Sequence, residues 1–437
     1  MRLRAVVVNY NGGAEVLGGL RALLASDWPG ELEVVVVDNG STDGSVERIE
    51  AELPAVRVHR SPGNLGYPAV NRVVTDLDGV DLVAVVNPDA VVAPDCLRLL
   101  ADALAIDPGL GAACPLILLD GDYREVAVGL DGTARASLDL LAVEGADRWH
   151  LTGPRVRRRW QRGVAWTIGD GSVLRSTATD GTVVALRLRA HEPSRVTLRS
   201  GGHEVAVDVD RRATTVSVPL GGPAVPVVQN AGSVIGVHGL GLNRGYHQPD
   251  GPTFAQPTDV PAWCGAAVLL RAGYLRDAGL FDPRWFLYYE DTDLSWRGLL
   301  RGWRYAYVPE ARVRHAHSTT IGHGSALYDV QHESNRLLTV AKCAPAGAAR
   351  AAWLESVRLV GRQLRGDVVA RLRDRRAPEP VLTTRRLRAL ARALRLLPAV
   401  LADRRAVRGG ASVVDADLPV LGRWHDPAPG PDDVEQP

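Results

Sequence analysis

The chain has 437 residues, 46% of them hydrophobic and 23% charged, with a formal net charge of +1. This length predicts two or more domains with a sizeable core, and the composition excludes a chain that is disordered throughout. A balance so near neutrality excludes a surface coated for nucleic acid, although the charge is unevenly spread along the chain.

Lysine is almost absent and arginine abundant, which reflects codon usage in a GC-rich genome rather than chemistry. Cys96, Cys114, Cys264 and Cys343 form no CxxC pair, so they read as reduced core thiols, with neither a zinc site nor a disulfide framework expected. The first residues carry too short an apolar run for a signal peptide, and no stretch approaches the ~18 uninterrupted apolar residues of a membrane span. The expectation is a cytoplasmic protein that meets a membrane only from the side.

Residues 3–8 form an apolar run ending in Asn9-Tyr10-Asn11-Gly12-Gly13, and residues 14–25 follow with helical spacing. Leu32 to Val37 ends in Asp38-Asn39-Gly40-Ser41-Thr42-Asp43-Gly44; a helix to Glu52, a strand at Val56–His59 and the loop Gly63-Asn64-Leu65-Gly66 come next. Leu82 to Val86 ends in Asn87-Pro88-Asp89, before a helix from Pro94 to Ile106. Continuous apolar strands alternating with helices predict an α/β fold with a mostly parallel sheet covered on both faces, and ligands of such sheets bind at the carboxyl ends of the strands.

Those ends carry Asn9, Asp38, Asn64 and Asn87-Pro88-Asp89. No GxGxxG follows the first strand and no GxxxxGKS is present, so a nucleotide is expected to be held by side chains. Asp38 can accept from a base or a ribose hydroxyl, and Asp89 can hold a divalent cation that bridges a diphosphate. The plainer alternative is that Asp38 and Asp43 only make Asx turns and cap the next helix.

Between Gly121 and Val227 the pattern changes to alternation on a period of two, at Val184-Leu186-Leu188, Val196-Leu198, Val205-Val207-Val209 and Val216-Val218. Half-buried antiparallel strands follow, forming a small β domain inserted in the α/β domain. A sugar-binding accessory module and a spacer or oligomerisation element both remain open for it.

The α/β pattern resumes at Val227, and Trp263 to Arg271 contains a buried strand. Then comes Trp285-Phe286-Leu287-Tyr288-Tyr289-Glu290-Asp291-Thr292-Asp293, an aromatic run leading into three acids and a helix predicted from Asp293 to Leu300. Burying Glu290, Asp291 and Asp293 is costly unless they are paired or used chemically, and the alternative is a solvated helix start. After a strand over Gly302–Pro309, His315 and His317 are candidate metal ligands. Residues 345–408 hold 16 arginines against 5 acids, with Leu354, Val357, Leu387, Leu390, Leu394 and Leu397 at helical spacing. Such amphipathic helices suit an anionic membrane surface or a solvated face packed on the catalytic domain. Residues 411–437 hold 1 arginine and 6 acids and read as a disordered tail.

Taken together, Asn9-Tyr10-Asn11-Gly12, Val37 to Gly44, Asn64-Leu65-Gly66, Val86 to Ala90, Gly265-Ala266-Ala267 and Glu290 to Arg297 resemble the family 2 glycosyltransferases, in particular the rhamnosyltransferase-like branch of bacterial cell-envelope polysaccharide synthesis. The resemblance covers residues 3–118 and 227–343 and leaves out the β insert. It implies a GT-A fold, and together with the patterns above the chain divides into a nucleotide-sugar half (1–120), the insert (121–226), an acceptor half (227–343), basic helices (344–410) and the acidic tail (411–437). It also implies a divalent cation (Mg²⁺ or Mn²⁺), a nucleoside-diphosphate sugar such as dTDP-rhamnose, inversion at the anomeric carbon, and a polyprenyl-diphosphate-linked or polysaccharide acceptor. Location on the inner face of the cell membrane fits that acceptor.

Carried over residue by residue, the resemblance makes Asp291 the general base, and Asn9, Tyr10, Asn11, Asp38, Asn64 and Asn87 the donor contacts. Trp285, Glu290 and Asp293 fall to the acceptor, and Asp89 and His315 to the metal. Asn87 stands where the family has the first acid of an Asp-x-Asp, and Pro68 departs from the usual small residue at a helix start. The competing readings are a catalytically inactive glycan-binding protein on the same fold and a sugar-phosphate nucleotidyltransferase; the latter wants a basic glycine-rich loop after the first strand, which Asn9 to Gly13 lacks.

Overall fold

The computed structural model describes residues 1–131, 137–146, 148–153, 156–159, 165–177, 179–316, 325–374 and 381–425. They form two compact units: residues from 1–117, 230–244 and 254–425 in one, and from 118–229 and 245–253 in the other.

The larger unit begins with strand β1 (Arg2–Asn9), helix α1 (Glu15–Leu24), β2 (Glu31–Asp38), α2 (Ser45–Glu52), β3 (Arg57–Arg60), β4 (Leu82–Val86), β5 (Ala90–Val92), α3 (Cys96–Ile106) and β6 (Leu110–Leu119). After the insert come β7 (Ala267–Arg271), α4 (Ala272–Ala278), α5 (Glu290–Leu300), β8 (Arg304–His315), α6 (Ala326–Cys343), α7 (Ala346–Asp374) and α8 (Val381–Gly409). The sheet runs β8-β6-β7-β4-β1-β2-β3, with β5 and Thr258–Asp259 also pairing with β8. Strands β4, β1, β2 and β3 are parallel, whereas β7 runs antiparallel to β4. Val34 to Val37 and Leu82 to Val86 are buried without a break, because helices cover both faces.

The second unit is a pair of five-stranded antiparallel sheets on a shared core that includes Val126, Leu138, Leu174, Leu186, Leu198 and Val218. This bears out the inserted antiparallel β domain, and the alternating residues Val184, Leu186 and Leu188 all face inward. Its first strands, absent from the sequence reading, follow the same alternation: Leu138 and Leu140 join the core, while Asp139 between them lies on the other face and accepts from Arg189.

Two details differ from expectation. Helix α5 starts at Glu290 rather than Asp293, so Asp293 lies a turn inside and caps nothing. The stretch from 411 to 425, expected to lack structure, is packed: Leu418 and Val420 are buried, and Asp415 accepts from Arg408. The remainder of that tail lies outside the described residues. No helix among the described residues is long and apolar enough to cross a membrane.

Candidate active site

The parallel register of β1 and β2 places Asn9 beside Asp38 at the carboxyl edge. Asn9 is a correction to the donor-contact expectation: its side chain is wholly buried, and Nδ2 faces Asp38 Oδ1 (3.2 Å), Ser41 Oγ (3.0 Å) and Ser45 Oγ (2.9 Å). It shapes the loop from within. Asp38 is also buried, accepting from the Ser41 hydroxyl (2.6 Å) and the Gly40 N–H (3.0 Å), so its Asx turn is real. Asp43 accepts from Ser45 N–H at 3.0 Å and Gly13 N–H at 2.8 Å, tying the ends of β1 and β2 together. Tyr10 and Asn11 are left exposed beside this turn, with Asn11 in the left-handed region and its Oδ1 accepting from Thr42 N–H.

From this edge a relay of hydrogen bonds runs to the acids. Asn39 Nδ2 donates to Gly66 O (2.9 Å), and the Asn64 side chain accepts from Gly66 N–H (2.9 Å). Gly66 has φ +70°, and a Cβ there would meet the Phe286 carbonyl oxygen at 1.9 Å, so only glycine fits. Tyr67 N–H donates to that same carbonyl, while the Tyr67 hydroxyl donates to Gly265 O (2.7 Å). Gly265 N–H donates to Asp291 Oδ2 at 3.0 Å. Tyr67 and Asn39 are links that the sequence reading missed, since nothing in their spacing shows that the two loops meet.

At the other end of the sheet edge, β5 pairs antiparallel with the end of β8, bringing Ala90 opposite His315. His315 Nε2 lies 3.0 Å from Asp89 Oδ1 and 3.3 Å from Asn87 Nδ2. The three residues expected at the diphosphate are therefore together. Carboxylate oxygen beside imidazole nitrogen is a donor set that fits a divalent cation whose other positions fall to phosphate oxygens and water, as Mg²⁺ and Mn²⁺ sites usually leave them. His317 lies outside the described residues.

The acids of α5 have different surroundings. Asp291 is half-buried, with Oδ1 accepting from the Thr292 N–H (2.6 Å) and hydroxyl (3.1 Å). Burial raises its pKa against the opposing pull of the Gly265 and Thr292 donors. Glu290 is buried with Oε2 unpartnered, and burial together with the Asp291 charge holds its carboxyl well above the usual range. Two adjacent carboxyls in one apolar setting titrate as a pair, and the arrangement favours a neutral Glu290 beside an ionised Asp291.

Asp293 and Trp285 are corrections to the acceptor expectation. Asp293 is fully buried, paired with Arg297 (2.8 Å) and Lys342 (3.0 Å). Trp285 is equally enclosed; its Nε1 donates to Thr339 Oγ1 (2.8 Å) and Lys342 Nζ sits 4.7 Å over its ring, so no face is offered to a sugar. Lys342 also binds Asp282 (2.7 Å). Burial pulls the Asp282 carboxyl up, but Arg284 and Lys342 outweigh it and bring it down to about 2.

Between Trp285 and Glu290 the backbone is strained. Tyr288 (φ 67°) and Tyr289 (φ 70°) are both left-handed, which costs ~1–3 kcal/mol each in a side-chain-bearing residue. The brace is visible: Asn335 Nδ2 donates to Leu287 O (2.9 Å) and Tyr288 O (2.8 Å), and Arg392 donates to Asn335 Oδ1 (2.6 Å) and Arg284 O (2.8 Å). The Tyr289 hydroxyl accepts from Gly241 N–H and donates to Gly239 O. Asn335 and Arg392 lie on α6 and α8, and no motif marks them.

Residues 5–137 match a family model described as Glycosyl transferase family 2. An N-acetylglucosaminyl-diphospho-decaprenol L-rhamnosyltransferase of Mycobacterium tuberculosis is 26% identical over 78% of this chain and 84% of its own length. An N-acetylglucosaminyltransferase of Bradyrhizobium elkanii is 32% identical over 25% of this chain and 62% of its own. Among solved structures, a mannosyltransferase of Pyrobaculum calidifontis in complex with GDP-Man and Mn²⁺ has a TM-score of 0.41 and 14% identity, covering 90% of this chain and 87% of that one. GalNAc-T7 with UDP, GalNAc and Mn²⁺ has a TM-score of 0.45 and 13% identity, over 78% of this chain and 48% of that one. The segment that matches the family 2 model spans the Asn9, Asp38 and Asp89 loops, and over most of its length the chain is similar to a rhamnosyltransferase.

Proposed function

We propose that this chain is a family 2 glycosyltransferase of the GT-A fold that moves a sugar, with inversion, from a nucleoside diphosphate to a lipid-linked glycan. The observation that carries the reading is Asp291: a half-buried carboxylate fixed by Gly265 and Thr292, and linked through Tyr67 and Gly66 to the Asp38 loop. Asp291 takes the proton of an acceptor hydroxyl as that oxygen bonds the anomeric carbon, and the bond from that carbon to the diphosphate breaks. Its raised pKa makes it a stronger base than a surface aspartate, while Glu290, kept neutral, remains able to donate to the acceptor. Tyr10, Asn11, Asn64 and the Asp38 turn receive the nucleoside, and Asn87 the ribose or diphosphate. Asp89 and His315 would hold a divalent cation, which would supply charge for the leaving diphosphate.

The rhamnosyl group and the lipid-diphosphate N-acetylglucosamine acceptor follow the name of the mycobacterial relative; dTDP-rhamnose as the donor and the inner face of the cell membrane as the place complete the proposal. The test incubates the protein with Mg²⁺ or Mn²⁺, a panel of nucleotide sugars and a lipid-diphosphate N-acetylglucosamine acceptor, and follows nucleoside diphosphate release and the anomeric configuration of the product. Rhamnosyl transfer with inversion is expected. No release from any donor would return the inactive glycan-binding alternative, and a retained anomer would remove Asp291 from its role.

A further inference from the structure

Amphipathic helices normally turn their large apolar residues inward, and α7 does the reverse. Its inward positions include Ala352, Ser356 and Val360, all buried. Outward, Leu354, Val357, Leu364, Val368, Val369 and Leu372 are between 42% and 78% exposed. At ~100° per residue all but Val369 fall in one stripe along the helix. The groove where that stripe begins, about 350 Å³ in volume, is lined by Arg350, Trp353, Leu354 and Val357. Helix α8 adds Leu387, Leu394 and Leu401, one every seven residues and also exposed. Nine of the twenty exposed large apolar side chains among the described residues thus lie on two helices, where water gives no reason for them.

The charges identify the occupant. Exposed Arg358, Arg362 and Arg365 run along one flank of the stripe, with Glu355 as the acid among them. A second copy of the chain would set arginine rows against each other. Anionic headgroups above an acyl layer match both the arginines and the leucines. We propose that the outer face of α7 docks in the plane of an anionic lipid bilayer. The lipid-linked acceptor reading supplies the purpose of such docking, and the surface itself stands on the exposed side chains.

The full-length protein is to be sedimented with vesicles of phosphatidylcholine alone or mixed with phosphatidylglycerol. It should partition onto the mixed vesicles, more weakly onto neutral ones, and less as salt rises. Leu364→Glu with Val368→Glu should lower partition roughly tenfold or more, and Arg358→Gln, Arg362→Gln and Arg365→Gln together should do so at low salt, since each basic residue near an anionic surface contributes ~1 kcal/mol. All these side chains are exposed, so the melting temperatures should stay at the wild-type value; if the glutamate pair does not fold, the arginine set is read alone. Equal binding to neutral vesicles, or unchanged partition in the variants, overturns the proposal. So does a lipid-free dimer that the glutamate pair converts to monomer, which would make the face a self-interface. Transfer to a water-soluble acceptor should persist in every variant. Its absence even in the wild type, with vesicle binding intact, would count against the functional reading and not against the docking face.

Discussion

Asp291 and Asp293 stand two positions apart on one helix, and their surroundings are opposite. Asp293 points into the protein, where Arg297 and Lys342 neutralise it and Asp282 shares the lysine. Asp291 and its neighbour Glu290 have no cation among their described partners; backbone N–H groups and a threonine hydroxyl hold Asp291, and Glu290 Oε2 is left over. An acid whose charge is cancelled on the spot serves the fold. One whose charge is oriented by dipoles but left uncancelled keeps its affinity for a proton, which is what a general base requires.

The single lysine of the chain sharpens this contrast. Every other basic position is arginine, yet the site between Asp282, Asp293 and the Trp285 ring holds lysine. A compact ammonium can face two carboxylates and a ring face at once, which a planar guanidinium fork does poorly.

Substitutions can break the comparison in order of expected size. Asp291→Asn should lower kcat about 10³-fold, ~4 kcal/mol in the barrier, with the donor dissociation constant unchanged in titration calorimetry. Loss of donor binding in that variant would move Asp291 to the cation. Lys342→Met leaves Asp282 and Asp293 buried without their ammonium and should cost ~3–5 kcal/mol in urea unfolding. Adding Asp293→Asn should restore part of that loss, and simple additivity of the two would show that they are not coupled.

Asn335→Ala removes the donor to two carbonyls of the strained turn and should reduce kcat roughly 10- to 100-fold, ~2 kcal/mol, with KM nearly constant. A variant that melted early yet kept its kcat would assign Asn335 to packing alone. Glu290→Gln should have the smallest effect and the clearest pH signature. With its pKa raised by folding, Glu290 binds a proton in the native state that the unfolded chain has released, so stability falls as pH rises above the ordinary carboxylate value of ~4.3. The variant should be more stable than wild type by ~1 kcal/mol near pH 8 and indistinguishable below pH ~4, measured by denaturant titration at both.

Much of the fold was written in periodicity. The run Leu32 to Val37 became β2 and Leu82 to Val86 became β4, because a strand covered on both faces needs unbroken apolar residues. Alternation at Val184-Leu186-Leu188 announced the inserted sheets in the same way. The site was legible where polar groups end such runs: Asp38, Asn87, Asp89 and His315 lie at strand ends, and the last three are in contact. Sorting the acids was not legible. Glu290, Asp291 and Asp293 differ in surroundings through Lys342, Arg297 and Gly265, and two of those three come from other elements.

The sequence by itself therefore determined the α/β alternation, the polar ends of its strands and the family resemblance, since each depends on local pattern and short-range geometry. Tertiary structure alone decided that Asn9 braces from inside, that Asp293 and Trp285 belong to the core, that Asn335 and Arg392 hold the strained turn, and which leucines of α7 face outward. Those outcomes depend on what packs against each side chain, and burial and ion pairing are set by neighbours tens of residues away in the chain.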